Sequence, residues 1–329
     1  MAKVLITARS MAANKQGTGI LEAAGHEIVV AAAAKPLGEA EMLRVIVGMD
    51  AAIVGLDSVT AGVLAAGRPR LRIVARNGAG YSNVDVKAAG EMGVAVTLAP
   101  GANSISVAEL VLGLMLSLAR HIPEQDANIR RGAWNRPAGH ELHGKTLGVI
   151  GTGQIGVEVI RRAHAFGMSV VAFDIQQRRE LCEHYQVNYV PVEEVFRSAD
   201  FLSLHVPATP ETNGMVNSRT LSLMKKTAVL INAARGELIN ELHLYEALKS
   251  GALAGFAADT LMEEPPSATH PLLSLPNVVL TPHCGAYTEE AVNRTSIVAA
   301  EEVVRVLSGQ TPLYPAPGMR IPARASGER

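Results

Sequence analysis

The chain has 329 residues, 48% of them hydrophobic and 19% charged, with a formal net charge of −1. Such length and composition suit two α/β domains, and the balanced charge speaks against nucleic acid or an anionic membrane as partner. Its two cysteines, Cys182 and Cys284, stand far apart, which speaks against a disulfide framework or a thiolate metal site and suits a reducing cytoplasm.

In chain order, strand-like apolar runs alternate with helical ones, the pattern of parallel sheets covered by helices. The chain opens on a strand, Lys3–Thr7, rather than on the charged and apolar stretches of a secretion signal. Strands are then expected at His26–Val30, Ala51–Val54, Arg72–Ala75 and Val94–Thr97. After a turn at Ala99–Gly101, Asn103 and Ser104 cap an apolar helix, Ile105–Ala119. That helix is too short to span a bilayer and carries Glu109, so it reads as buried. The turn marks a domain boundary.

A second run opens at Lys145–Ile150, followed by Gly151-Thr-Gly-Gln-Ile-Gly156, a helix over Val157–Phe166 and a strand, Ser169–Asp174, ending in an acid. Glycine, helix and carboxylate fall where a dinucleotide-binding unit needs them. The glycines let the backbone approach a pyrophosphate at the helix N-terminus. Asp174 accepts from ribose hydroxyls and repels a 2′-phosphate, so NAD is expected over NADP even with Arg178 and Arg179 close behind.

Further strands are expected at Asp200–Leu204, Ala228–Asn232, Gly255–Asp259 and Val278–Thr281, and an amphipathic helix from Thr288 to about Leu307 returns to the first domain. The expected organisation is 1–101 completed by 287–317 as a substrate-binding domain, 102–286 as an NAD-binding Rossmann domain, and a disordered tail at 318–329. In fold class this is α/β, with two Rossmann-like parallel-sheet domains and an active-site cleft between them.

Polar residues follow three of the second-run strands, where open α/β sheets place ligands. Arg235 in Asn232-Ala-Ala-Arg-Gly236 suits a planar carboxylate. Glu263 and Glu264 follow Asp259, and His283 stands in Thr281-Pro-His-Cys-Gly285. A histidine paired with a carboxylate has the properties of a proton shuttle near neutral pH. The scattered histidines lack metal-ligand spacing, so no metal is expected.

These motifs, with His205-Val-Pro207, Arg76-Asn-Gly-Ala-Gly80 and Asn83-Val-Asp85, resemble the D-isomer-specific 2-hydroxyacid dehydrogenases over nearly the whole length. Within that family the chain is most similar to the phosphoglycerate dehydrogenase branch in its short form, without a regulatory domain. The resemblance implies an NAD-dependent enzyme of serine biosynthesis, cytoplasmic and homodimeric. Its catalytic set would be Arg235, Glu264 and His283. Its cofactor contacts would be Gly151, Gly153, Gln154, Ile155, Gly156, Asp174, Val206, Ala233, Ala234, Asp259 (near the nicotinamide amide) and Gly285. Arg76, Asn77, Gly78, Ala79, Gly80 and Arg235 would hold the substrate.

Several positions depart from the family pattern. Cys284 replaces an aliphatic residue; it either packs as that residue would or, as a thiol beside the chemistry, exposes the enzyme to alkylation. Thr260-Leu261 replaces Val-Phe, and Glu237 replaces a glycine. The segment Gly55-Leu-Asp-Ser-Val-Thr60 lacks the arginine that grips phosphate in phosphoglycerate dehydrogenases and adds an acid. Arg76 and Arg136, beside Trp134, remain as bases. Hydroxypyruvate, glyoxylate or sulfolactate therefore stand as alternative substrates. A different class within the family is an NAD(H)-sensing co-repressor.

Overall fold

Runs of Val, Ile, Leu and Ala make twelve strands among residues 1–319, the part of the chain described by the computed structural model. They are β1 (Lys3–Ile6), β2 (Glu27–Val30), β3 (Ala51–Val54), β4 (Ile73–Arg76), β5 (Ala95–Thr97) and β6 (Thr146–Ile150). The others are β7 (Ser169–Phe173), β8 (Asn188–Tyr189), β9 (Phe201–Leu204), β10 (Val229–Asn232), β11 (Gly255–Ala258) and β12 (Val278–Leu280). Packing divides the chain into two compact units, Met1–Asn103 with the segment from Tyr287 onward, and Ser104–Ala286.

In the first unit five parallel strands lie in the order β2-β1-β3-β4-β5. All four residues of β3 are buried, as in a parallel sheet covered on both faces. The helix Glu289–Leu307, capped by Thr288, lays Ala299, Ala300, Val303 and Val306 against Val4, Ile6 and Ile53 of this sheet. Strand order reverses between β1 and β3, the place where such sheets usually take ligands. Here that place is filled from within. Asp57, 3% exposed, accepts from Thr7 Oγ1 (2.6 Å), Leu37 N–H (2.8 Å) and Gly55 N–H (2.8 Å). Asp57 is therefore not an acid presented to substrate, as its place in Gly55–Thr60 suggests; it is an internal brace. The tail expected from Gly318 lies outside the described residues except for Gly318 and Met319. Met319 is not loose, because its sulfur accepts from Val96 N–H (2.9 Å) and it packs on the core.

In the second unit seven parallel strands lie in the order β12-β11-β10-β9-β6-β7-β8. The reversal falls between β6 and β9, so the glycine loop after β6 and His205 after β9 flank the crevice. The helix Ser104–Ala119 is apolar because it is core, with Val111, Leu112 and Met115 packed on Leu147, Val149 and Ile231. Burying each such side chain contributes roughly 1.5–3 kcal/mol. Among the described residues no single helix is long and apolar enough to cross a membrane. The helix after the glycine loop starts at Gln154, three residues before the expected Val157, because Gly153 is its N-cap and the last glycine of the motif lies in its first turn.

Candidate active site

Four loops meet the requirements of a site at the C-terminal ends of the seven-stranded sheet: those after β6, β10, β11 and β12. The loop after β6 is built by close approach. A Cβ on Gly156 would lie 2.1 Å from Gly151 O, and one on Gly151, at φ +97°, would lie 2.6 Å from His205 O. A Cβ on Gly153 would meet nothing within 4 Å. That glycine keeps the start of the helix Gln154–Ala165 open. No side chain caps the helix and its first turn, with Ile155, carries no acid, which leaves its N–H groups and dipole for an anion. Asp174 follows β7 and accepts from Thr152 N–H (2.5 Å), Thr152 Oγ1 (3.1 Å) and Gln176 N–H (2.8 Å). Glycine cradle, uncapped helix and carboxylate fit an adenine dinucleotide. Val206 and Ala233 stand half-buried and Ala234 buried just beyond β9 and β10.

After β10, buried Asn232 folds its amide over the turn, accepting from Ala234 N–H (3.1 Å) and donating to Arg235 O (2.8 Å). Arg235 Nη1 donates to Ala234 O (2.6 Å). The arginine thus leaves a braced turn rather than a free loop.

After β11 and β12 the chain forms a histidine–carboxylate pair. His283 Nδ1 lies 2.7 Å from Glu264 Oε2, with the side chains 33% and 34% exposed. A carboxylate only accepts, so Nδ1 carries the hydrogen, and in the neutral ring Nε2 presents a lone pair. Burial pushes the Glu264 carboxyl up, but the His283 hydrogen bond and charge, the Leu261 N–H and the Arg235 charge outweigh it and hold it below its ordinary value of 4.5. A depressed carboxylate contributes stability above its ordinary value, which is lost as pH falls through the folded-state value. Wild type should therefore exceed Glu264→Gln in denaturant stability at about pH 7, and the gap should close on acidification below about pH 4. A gap independent of pH would show that ionisation of Glu264 contributes nothing to folding.

His283 itself adopts a left-handed backbone, φ 51°, uncommon outside glycine. Asp259, 4% exposed, holds this loop: Thr281 Oγ1 (2.6 Å) and Cys284 N–H (2.8 Å) donate to Oδ1, and Gly285 N–H (2.8 Å) donates to Oδ2. Both of its oxygens are turned to the loop that carries His283. Burial pushes the Cys284 thiol up, with the charge and hydrogen bond of Asp259 adding to it and Thr281 opposing. That lowers its thiolate fraction and argues against the alkylation sensitivity expected from its position. Burial also pushes His205 down to about 4, and its Nε2 lies 2.8 Å from Ser203 Oγ. A neutral ring there packs and hydrogen-bonds rather than shuttling protons.

The substrate residues expected from the first unit lie after β4. Arg76 Nη1 donates to Asn77 O (2.8 Å) and sits over Gly78, where a Cβ would come within 2.8 Å of it. Asn77 Nδ2 donates to Ser10 Oγ (3.0 Å), while Ala79 and Gly80 are half-buried.

Sequence reasoning missed Glu241. Its Oε1 accepts from Met262 N–H (3.0 Å) and its Oε2 lies 3.0 Å from His270 Nε2, pinning the segment that leads to Glu264. The one sequence signal was an acid in the first turn of the helix Glu241–Lys249, which reads equally as a response to the helix dipole.

Comparison with known proteins identifies the family. Residues 112–285 match the sequence model of the D-isomer specific 2-hydroxyacid dehydrogenase NAD binding domain. The chain is 48% identical over 244 residues to a D-3-phosphoglycerate dehydrogenase of Methanocaldococcus jannaschii, matching 73% of this chain but 46% of that protein. It therefore spans about half the length of such relatives. It is 42% identical over 272 residues to a hydroxypyruvate reductase of Thermotoga maritima, covering 81% of this chain and 88% of that one. The TT0316 protein from Thermus thermophilus superposes with a TM-score of 0.88 at 35% identity, covering 95% and 99% of the two chains. The chain belongs to the D-isomer specific 2-hydroxyacid dehydrogenase family, and residues 112–285 are its NAD-binding domain.

Proposed function

We propose that the chain is an NAD-dependent D-2-hydroxyacid dehydrogenase acting on 3-phosphoglycerate, the first oxidation toward serine. The observation that carries the reading is the 2.7 Å His283–Glu264 pair in the same unit as the glycine loop. When bound, NAD supplies the hydride acceptor at its nicotinamide ring. His283 Nε2 takes the hydroxyl proton of the substrate, and Glu264 stabilises the imidazolium that results. Arg235 holds the substrate carboxylate through two parallel hydrogen bonds and offsets charge developing on the reacting oxygen. The reverse sequence serves reduction of a 2-oxo acid. We include a homodimer in the cytoplasm in this reading; the 78% exposed Trp134 offers an apolar anchor for self-association.

Hydroxypyruvate or glyoxylate reduction is the second reading, favoured by the near-complete coverage of the hydroxypyruvate reductase and by the absence of a base in Gly55–Thr60. The test is a panel with NAD and NADP: 3-phospho-D-glycerate, D-glycerate, D-lactate and sulfolactate, plus hydroxypyruvate and glyoxylate with NADH. The expected result is a kcat/KM for 3-phosphoglycerate at least about tenfold above the other hydroxy acids. Activity confined to unphosphorylated oxo acids would replace the first reading with the second. NADH binding without turnover on any acid would favour a sensor of the co-repressor type.

A further inference from the structure

Behind Asp174 the structure holds a chain of hydrogen bonds whose direction is fixed. Arg178 N–H, which can only donate, points at the Tyr189 hydroxyl (3.1 Å). Tyr189 has one hydrogen and donates it to Thr152 Oγ1 (2.9 Å). Thr152, 1% exposed, must then donate its own hydrogen to Asp174 Oδ2 (3.1 Å), beside its N–H. Every donor points toward the carboxylate, and such chains strengthen bond by bond. Oδ2 is saturated by Thr152, whereas Oδ1 takes a single bond from Gln176 N–H (2.8 Å) and keeps an acceptor site. The two bases behind the acid are engaged within their own segment: Arg178 Nη1 lies 3.6 Å from Glu180 and Arg179 Nε 2.7 Å from Glu183.

We infer that Tyr189 and Thr152 are positioning residues for dinucleotide selection, a hydroxyl relay that fixes Asp174 with one free oxygen site turned to the ribose hydroxyls and its charge set against a 2′-phosphate. The inference rests on the NAD reading of the glycine loop. β8, the two-residue edge strand that carries Tyr189, pairs Tyr189 with Ala172 of β7. Its register is what brings the phenol under the loop. A strand of two residues contributes little to the sheet, and this placement gives it a use.

The test is calorimetric titration of NADH and NADPH without substrate, on wild type, Tyr189→Phe, Thr152→Val, Thr152→Ser and Asp174→Asn, each first checked for cooperative melting. Wild type should prefer NADH. Tyr189→Phe and Thr152→Val should each weaken NADH by about three- to tenfold and change NADPH by less than about twofold, the loss of one charge-directed hydrogen bond. Thr152→Ser, which keeps the hydroxyl, should restore the NADH:NADPH ratio. An unchanged ratio in both Tyr189→Phe and Thr152→Val, or equal losses for both cofactors, overturns the relay. Asp174→Asn separates the two levels. If its ratio falls while the relay variants do not follow, the relay alone fails; if its ratio does not move, the nucleotide reading of Asp174 fails with it.

Discussion

Replacing His283 with asparagine should leave the fold intact and lower kcat by about 10²–10⁴-fold, the usual loss when a positioned general acid–base is removed. Asparagine is the right probe because of the backbone. At φ 51° the residue sits where asparagine, like histidine, is tolerated better than most other residues that carry a β-carbon. His283→Ala should show the same loss of turnover and a lower stability than the asparagine variant, because alanine has no polar side chain to ease the left-handed backbone. Parallel measurement of kcat and of denaturant midpoints separates chemistry from strain. A kcat for the asparagine variant within about tenfold of wild type would remove His283 from the proton transfer.

Gly236→Ala should be more damaging than its size suggests. A Cβ there would stand 2.1 Å from Leu261 C, 2.2 Å from Leu261 O and 2.3 Å from Met262 N. These are backbone atoms, so the segment must move rather than a side chain turn aside. Two bonds depend on its place: Leu261 N–H to Glu264 Oε1 (3.1 Å) and Met262 N–H to Glu241 Oε1 (3.0 Å). Displacing them unseats Glu264 and through it His283. Overpacking of this kind typically costs about 1–3 kcal/mol, and a misplacement of about 1 Å in a catalytic group costs about 10² in turnover. Melting temperature and kcat should fall together. A variant that melts within about 2 °C of wild type at full turnover would show that the loop accommodates the methyl group without cost.

The strands of both sheets were legible because apolar runs of Val, Ile, Leu and Ala bounded by turn residues leave few other structures, and β3 and β10, buried throughout, are the plainest cases. The glycine loop, Asp174, Arg235 and His283 stood out because each follows such a strand within about three residues, whereas Glu264, further beyond β11, was singled out from Glu263 only by the family resemblance. What escaped has a common cause. Asp57 with Thr7, Tyr189 with Thr152, and Glu241 with His270 are side-chain pairs separated by 50, 37 and 29 positions. No periodicity records them, and each residue read alone suits a solvated loop or a helix start. β8 escaped because two residues are too few to alternate. The left-handed backbone of His283 escaped because histidine, unlike glycine, does not advertise it.

The buried carboxylate of Asp57 has a practical meaning for anyone who would substitute residues in the loop after β3. Its oxygens tie Thr7, Leu37 and Gly55 together, and its own carbonyl takes the Asn83 amide (2.7 Å). Grafting an arginine onto that position would strand three donors and bury a cation among them. Its neighbour Leu56 is 47% exposed and bears none of these ties. The loop between β3 and the next helix thus splits into a locked residue and one that substitution can change without breaking these bonds.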